Sequence, residues 1–169
     1  MHPALSVVAT IYNAAPMVRE LVDRLRLVLG DMGVPYEIIL VDDGSRDDSA
    51  YVMQMLSEED ARVKSVVLSR NFGQQIAMSA GIPFATGSYV LIMDGDLQNP
   101  PEAIPMLYET VQEGYDIVYT TSTSRNNWLD QVTSWLFWRF MSVVMKVDIV
   151  KSQLMMRIFN RKVADYFRC

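Results

Sequence analysis

Runs of consecutive apolar residues alternate with amphipathic stretches along most of the first 120 residues. The apolar runs have the length of strands, and their lack of alternation is typical of strands that are covered on both faces. In the stretches between them, apolar residues recur every three or four positions, which predicts helices. Strands that alternate with helices indicate βαβ units, so the predicted fold class is α/β with a mostly parallel sheet. The predicted strands are 5–12, 37–41, 63–68, 89–93 and 116–120, and the predicted helices cover about 16–30, 45–56, 74–84 and 100–114.

Local signals predict where the first two helices begin and end. Pro16 suits the first turn of the first helix, and Gly30 is placed as its stop signal. Ser45 is predicted to cap the second helix, because its hydroxyl can accept a backbone hydrogen bond. Asp47 and Asp48 would then lie in the first turn of that helix, where negative charge favours the helix dipole.

The segment 128–147 differs from the chain before it, because it is dense in large apolar side chains and holds all three tryptophans. One apolar stripe at helical spacing predicts a helix that packs on the sheet, but the tryptophans extend beyond that stripe. A helix at a membrane interface or at a partner surface is therefore a second interpretation. The segment 151–169 carries basic residues among methionines, which indicates either an amphipathic tail or a source of positive charge for an anionic ligand.

The composition limits the function classes. Of the 169 residues, 50% are hydrophobic and 21% are charged, which predicts one globular domain over 1–169. A net charge of −5 argues against broad nucleic-acid binding, which needs a basic surface. Cys169 is the only cysteine and His2 the only histidine, which excludes an intrachain disulfide and argues against a histidine-ligated zinc site or a Ser-His-Asp triad. Any metal is therefore expected to be held by oxygen atoms.

No segment has the pattern of a signal peptide or of a transmembrane helix. Residues 1–5 lack a basic region followed by an apolar one, and no stretch reaches about 18 uncharged apolar residues. We therefore expect a cytoplasmic protein and no transmembrane helix within this chain.

Polar side chains follow the predicted strands where the strands end. In a parallel sheet these ends meet along one edge, the carboxyl edge, which is where ligands bind in open α/β sheets. Asp94 and Asp96 are separated only by Gly95, which lets the backbone come close to a ligand. Alone, such an acidic turn is more often simply solvated, but its convergence with the other polar ends predicts a pocket. Those other ends are Tyr12-Asn13, Asp42-Asp43 and Arg70-Asn71.

These residue types fit a nucleoside diphosphate together with a divalent cation. Tyr12 would contact the base, and the carboxylates would accept hydrogen bonds from the base and from ribose hydroxyls. Mg²⁺ and Mn²⁺ take one or two protein carboxylates and complete their shell with water and phosphate oxygens. Asp94 and Asp96 are therefore the predicted metal ligands.

Four motifs in a fixed order carry a family resemblance: 7–13, 37–47, 68–74 and 93–102, with 161–163 similar to the end of a fifth. Through them the chain resembles the family 2 glycosyltransferases of GT-A fold, especially the branch of dolichol-phosphate mannosyltransferases and bacterial polyprenyl-phosphate glycosyltransferases. The resemblance implies a Rossmann-like sheet flanked by helices, of the nucleotide-diphospho-sugar transferase type. It also implies that 5–121 binds the nucleotide sugar, that 122–169 faces the acceptor and the inner face of the membrane, and that the chain continues beyond 169.

The resemblance assigns roles to matching positions. Thr10, Tyr12 and Asp42 match positions that hold the base, Arg70 matches a position near the diphosphate or acceptor, and Gln98 matches a signature of the polyprenyl-phosphate branch. Together with the carboxyl-edge argument, this predicts a nucleotide-sugar site made of Thr10, Tyr12, Asn13, Asp42, Asp43, Arg70, Asp94 and Gly95. The predicted metal ligands are Asp94 and Asp96, and the predicted catalytic residues are Asp96, Arg70 and Arg157. The predicted acceptor residues are Gln98, Arg125 and Arg157.

The predicted acceptor follows from the chemistry of the attacking group. A sugar hydroxyl would need a general base, but Met155 stands where family members can carry an acid. A phosphate acceptor is already anionic, because its second pKa is about 6, and it would need arginines such as Arg125 and Arg157. The sequence therefore predicts metal-dependent, inverting transfer of a sugar from a UDP-, GDP- or dTDP-linked donor to a polyprenyl phosphate, at a membrane surface contacted by 128–147.

Other functions stay open at this point. A transferase of the same fold could extend a glycan hydroxyl, and a nucleotide-sugar-binding module could lack catalysis. A phospho-receiver domain needs a lysine at a late strand end, and 119–122 holds none. A Rossmann dehydrogenase needs a Gly-x-Gly-x-x-Gly pattern after the first strand, which is also missing.

Overall fold

The computed structural model describes residues 2–121 and 153–167. The prediction of a helix over 128–147 and the assignment of Arg125 to the acceptor lie outside the described residues. Contacts between Cα positions divide the chain into two units, Met1–Tyr119 with Met155–Cys169, and Thr120–Leu154. The site described below lies in the first unit, and the prediction of a single domain over 1–169 stays a prediction.

The described elements follow the predicted order of strands and helices. Two short 3₁₀ turns, Ile82–Phe84 and Pro101–Ala103, precede the fourth strand and the fourth helix respectively. The strands are β1 Leu5–Ile11, β2 Tyr36–Asp42, β3 Val63–Val67, β4 Tyr89–Asp94, β5 Ile117–Thr121 and β6 Gln153–Asn160, and the helices are α1 Ala15–Asp31, α2 Ser49–Glu59, α3 Gln74–Gly81, α4 Ile104–Gln112 and α5 Arg161–Tyr166.

The strands form one sheet in the order β3-β2-β1-β4-β6-β5. The pairs β1–β2, β1–β4 and β2–β3 are parallel, whereas β6 runs antiparallel to β4. The predicted α/β class with a mostly parallel sheet is therefore confirmed. The sequence did not predict β6, because 151–169 was interpreted as a tail.

Both faces of the central strands β1, β2 and β4 are buried, which explains their continuous apolar runs. On one face, alternate strand residues such as Val7, Ile38 and Leu91 pack against α1, α2 and α4. On the other face, the intervening residues, such as Val8 and Ile39, pack against α3 and α5. Every residue of β1 and of β2 is buried, as expected for central strands with helices on both sides.

Two predicted helix boundaries are wrong. Helix α1 continues through Gly30 to Asp31, and it is Gly33, with a φ of 64°, that takes the left-handed conformation after the helix end. Helix α2 begins at Ser49, not at Ser45. Ser45 does not cap that helix, because its hydroxyl donates to Asp42 and accepts the backbone N–H of Asn13. Among the described residues, no helix is long and apolar enough to cross a membrane.

Candidate functional site

A cavity of about 300 Å³ lies at the carboxyl edge of the sheet. Its walls come from the ends of β1 and β4 and from the loops that follow β2 and β3. This is the place where the sequence predicts a ligand pocket. The lining residues are Thr10, Ile11, Tyr12, Ala14, Met17, Asp43, Asn71, Gly73, Gln74, Asp94, Gly95 and Asp96.

Asp94 ends β4 beside Thr10, its parallel partner on β1. Its Oδ1 atom accepts a hydrogen bond from the Gln74 amide and a long one, 3.5 Å, from the Thr10 hydroxyl. Burial raises the pKa of Asp94, and the charge of Asp96 raises it further. The hydrogen bonds from Gln74 and Thr10 and the positive charge of Arg157 act in the opposite direction, but the pKa stays above its ordinary value.

Gly95 is required by close packing. Its backbone N–H donates to the carbonyl of Thr10 at 3.0 Å. A Cβ atom at this position would lie 2.3 Å from Cδ1 of Ile11 and 2.9 Å from the Thr10 carbonyl oxygen, which is closer than real Cβ atoms approach. The acidic turn therefore lies against the end of β1, so the carboxylates on either side of Gly95 both reach the cavity. Asp96 is exposed, and its Oδ1 atom accepts the backbone N–H of Gln98 at 3.0 Å.

The two carboxylates after β2 have different surroundings. Asp42 is 1% exposed, and its two oxygens accept the backbone N–H and the hydroxyl of Ser45. Asp43 is 3% exposed and lines the cavity, and its two oxygens accept the backbone N–H groups of Phe72, at 2.8 Å, and Gly73, at 3.0 Å. Of the predicted pair, Asp43 is therefore the one placed at the cavity, and Asp42 braces the loop behind it.

The loops after β1 and β2 are joined by hydrogen bonds. The backbone N–H of Asn13, which has a φ of 48°, donates to the Ser45 hydroxyl, and the Asn13 side chain accepts the backbone N–H of Arg46 at 2.8 Å. At the start of α1, the N–H of Ala15 donates to Asp47 of the second loop and the N–H of Ala14 donates to Ser49, the first residue of α2, both at 3.0 Å. This arrangement holds Tyr12, which is 47% exposed, at the cavity.

Of the predicted arginines that the structure describes, neither Arg70 nor Arg157 is among the residues that line the cavity. The guanidinium of Arg70 stacks over the ring of Phe72 at 4.7 Å, while the next residue, Asn71, lines the cavity. Arg157 lies on β6 opposite Ile92 of β4, with a guanidinium nitrogen 3.8 Å from the sulfur of Met78. Its charge acts on Asp94, so Arg157 brings positive charge toward the acidic pair.

Five lining residues were not assigned to the site, or placed among the polar strand ends, from the sequence: Ile11, Ala14, Met17, Gly73 and Gln74. Gln74 is the first residue of α3 and comes directly after the loop that follows β3, and that position was the available signal. Met17 was interpreted only as part of the apolar stripe of α1, and nothing in that pattern distinguishes it.

The acidic pair suits a cation that shares its shell with a substrate. Among the described residues, no cluster of three or more His, Cys, Asp or Glu side chains could hold a metal by itself. However, Asp96 is exposed, and no donor in 2–121 or 153–167 reaches the Oδ2 atom of Asp94. One or two carboxylates are what Mg²⁺ and Mn²⁺ take when phosphate oxygens and water complete the shell.

Comparison with protein families shows which family the chain matches. The model of the family described as "Glycosyl transferase family 2" matches residues 6–164. The chain is 37% identical over 166 residues to the uncharacterized glycosyltransferase YkcC of Bacillus subtilis, and 39% identical over 163 residues to the uncharacterized glycosyltransferase sll0501 of Synechocystis. The matches cover 97% and 95% of this chain and 51% of each relative, so the chain spans about half the length of the curated relatives it matches.

Solved glycosyltransferase structures share the fold. One is the mannosyltransferase PcManGT from Pyrobaculum calidifontis in complex with GDP-Man and Mn²⁺, with a TM-score of 0.60 at 19% sequence identity. The match covers 98% of this chain and 47% of the PcManGT chain. Another is glucosyl-3-phosphoglycerate synthase from Mycobacterium tuberculosis in complex with Mn²⁺, UDP and phosphoglyceric acid, with a TM-score of 0.65 at 18% sequence identity. That match covers 95% of this chain and 57% of the synthase chain. The predicted GT-A fold is confirmed.

Proposed function

Because the chain belongs to glycosyl transferase family 2 and is a glycosyltransferase, we propose that it moves a sugar from a nucleotide-sugar donor to the phosphate of a polyprenyl-type lipid. We propose that the transfer depends on Mg²⁺ or Mn²⁺ and inverts the anomeric centre. The observation that carries the proposal is the single cavity in which Tyr12 and Asp43 stand together with Asp94 and Asp96.

The donor would lie along the carboxyl edge, with its nucleoside toward the loops after β1 and β2. Tyr12 offers a half-exposed ring for the base. Asp43 offers a fixed carboxylate, which would orient base or ribose donors, because its own position is held by two backbone N–H groups. The neighbour structures contain GDP-Man in one case and UDP in another, and we infer a donor of one of these two nucleotide types.

The diphosphate would lie at the acidic pair. Asp94 and Asp96 would hold the cation, which as a Lewis acid stabilises negative charge on the departing diphosphate. Arg157 approaches from β6 and would add positive charge on the same side. Gly95 places the backbone of the turn against β1, so the turn that carries the two carboxylates is packed on the core.

The acceptor follows from the lack of a general base among the described residues at the cavity. Its carboxylates are Asp43, Asp94 and Asp96, and each already has a role in holding the loop or the cation. A phosphate monoester is largely dianionic at neutral pH, so its oxygen can attack the anomeric carbon without proton transfer to the protein. Attack from the side opposite the diphosphate gives inversion. We place the reaction at the cytoplasmic face of a membrane, with Gln98 and the arginines toward the lipid phosphate.

A two-stage experiment tests the proposal. A thermal-shift panel of UDP, GDP and dTDP sugars, each with and without Mn²⁺ or Mg²⁺, should give one donor that stabilises the chain only with metal. Transfer of the radiolabelled sugar of that donor is then measured with polyprenyl phosphate in detergent micelles. The label should enter the organic-extractable lipid in the wild type and not in Asp96→Asn. Label that enters only soluble oligosaccharide would support a hydroxyl acceptor instead.

A further inference from the structure

The side chain of Gln74 contacts Asp94, the first residue of the acidic pair, directly. Gln74 is exposed, lines the cavity, and donates a hydrogen bond from its amide nitrogen to the Oδ1 atom of Asp94. The neighbouring Gln75 is also exposed, but the cavity lining includes only Gln74 of the two. The interaction is therefore specific to one of two identical adjacent side chains.

The hydrogen bond leaves one oxygen of Asp94 for another partner. Oδ1 is engaged by Gln74 and, at 3.5 Å, by Thr10, whereas no donor in 2–121 or 153–167 reaches Oδ2. A carboxylate held through one oxygen presents the other in a fixed direction, which favours monodentate binding of a cation. The amide is neutral, so it orients the carboxylate without neutralising the charge that attracts the metal.

The position of Gln74 depends on a second cavity residue. Gln74 follows Gly73, whose φ is 93°, and the backbone N–H groups of Phe72 and Gly73 both donate to Asp43. Asp43 therefore fixes the turn that starts α3, and the first side chain of α3 fixes Asp94. The consecutive residues Phe72, Gly73 and Gln74 therefore connect Asp43, at the proposed nucleoside site, with Asp94, at the proposed metal site.

We propose that Gln74 is a positioning residue that holds Asp94 ready for a divalent cation and joins the metal site to the nucleoside site. This inference rests on the proposed function, because it requires Asp94 and Asp96 to bind the metal. Removing a group that hydrogen-bonds to a metal-binding side chain typically lowers metal affinity by about 10–100-fold. Loss of the Gln74 amide should therefore weaken metal binding and leave metal-free nucleotide binding unchanged.

The test compares Gln74→Met with the matched control Gln75→Met. Methionine keeps the length of glutamine and removes the N–H donors. Binding of Mn²⁺ is followed by the loss of the free-ion electron paramagnetic resonance signal, in the presence of saturating UDP or GDP, whichever stabilises the wild type. Binding of the same nucleotide without metal is measured by calorimetry. We expect Gln74→Met to bind Mn²⁺ about tenfold more weakly, with a metal-free nucleotide affinity within about twofold of wild type. Gln75→Met should match wild type in both.

Two results would overturn the inference: wild-type Mn²⁺ affinity in Gln74→Met, or an equal loss of metal-bound and metal-free nucleotide affinity, which would indicate a purely structural role. Asp96→Asn separates this failure from failure of the proposed function. If Asp96→Asn loses Mn²⁺ binding and Gln74→Met keeps it, only the role of Gln74 is wrong. If wild type binds no Mn²⁺, or Asp96→Asn binds it as wild type does, the metal site and the inference fail together.

Discussion

Gly44 lies against the backbone of Arg70 so closely that a Cβ atom on Gly44 would stand 2.3 Å from the Arg70 carbonyl carbon. The loop after β2 therefore touches the loop after β3, and both loops contribute to the cavity. Gly44 also has a φ of 66°, which non-glycine residues rarely adopt. The contact keeps Asp43, the residue before Gly44, within reach of the N–H groups of Phe72 and Gly73.

The first prediction concerns that contact. Gly44→Ala should lower the free energy of unfolding by about 2–4 kcal/mol, because it adds a backbone clash to the strain of a positive φ. Gly33→Ala is the matched control, since Gly33 has a similar φ of 64° but nothing within 4 Å of an added Cβ. Gly33→Ala should lower the free energy of unfolding by only about 1 kcal/mol. Urea denaturation of both variants measures the difference. An equal loss of unfolding free energy in the two variants would show that the close contact of Gly44 with Arg70 adds nothing to the cost of the positive φ.

The second prediction separates the two carboxylates after β2. Asp43→Ala should reduce metal-free nucleotide affinity by about tenfold or more, because it removes a cavity carboxylate and frees the turn before α3. Asp42→Ala should affect stability more than affinity, since both oxygens of Asp42 serve Ser45. Calorimetric titration with the nucleotide, together with thermal melting, distinguishes the two. Greater loss of affinity in Asp42→Ala than in Asp43→Ala would reverse the assignment.

The third prediction tests the metal pair. Asp96→Asn should abolish metal-dependent stabilisation by the donor, because Asp96 is a proposed ligand. Its unfolding free energy should stay within about 0.5 kcal/mol of wild type, because the side chain is exposed. Glu113→Gln, at an exposed position away from the cavity lining, serves as the charge-matched control. Full metal-dependent stabilisation in Asp96→Asn would show that the cation lies elsewhere.

The fourth prediction concerns pH and the buried Glu37. Burial opposes the charged form, but hydrogen bonds from Lys64, Ser6 and Thr86 lower the pKa of Glu37 below its ordinary value of 4.5. Because the folded pKa lies below the unfolded one, the stabilisation is present above about pH 4.5 and is lost as pH falls through the folded pKa. Glu37→Gln should therefore be less stable than wild type near neutral pH, and the difference should shrink in acid.

Chemical denaturation of wild type and Glu37→Gln between pH 3 and pH 7 measures this effect. Glu58→Gln is the control, because Glu58 is solvent-facing and its partner Gln54 is uncharged. The same pH profile for wild type and Glu37→Gln would contradict the prediction.

The fifth prediction concerns Arg157. Arg157→Met should reduce the turnover of sugar transfer more than it changes the donor KM, because the positive charge is proposed to act on charge that develops in the transition state. Lys162→Met, on the exposed side of α5, controls for the loss of one positive charge. Steady-state kinetics on the selected donor give both parameters. A rise in KM at unchanged kcat would assign Arg157 to ground-state donor binding.

The carboxyl edge could be predicted because it follows from local patterns and one general rule. Apolar runs mark the central strands, and parallel pairing brings the ends of those strands to one edge. The structure then supplies the strand order and the register, which place Thr10 beside Asp94 and Ile11 beside Asp42. The rest depends on contacts between distant parts of the chain. Ser45 was predicted as a cap from its local sequence, but it is engaged by Asn13, 32 residues earlier. No local pattern contains that partner.

The antiparallel strand β6 illustrates the same limit. Arg157 interrupts its apolar pattern, and its pairing with β4 joins residues such as Leu91 and Ile158 that are far apart in sequence. From the sequence, Gln74 could be identified only as the first residue of a predicted helix. Its contact with Asp94 depends on the turn that Asp43 organises, which appears only when the loops after β2 and β3 are placed together.

The hydrogen bonds between the loops after β1 and β2 limit how the donor preference of this protein can be redesigned. Hydrogen bonds join residues 13–15 to residues 45–49, so each stretch depends on the other for the partners of its polar groups. A graft that takes one of them from a homologue with another nucleotide preference would leave unmatched polar groups at the start of α1. Chimeras should therefore exchange 12–15 and 44–49 as one cassette, and in natural variation the two stretches should change together.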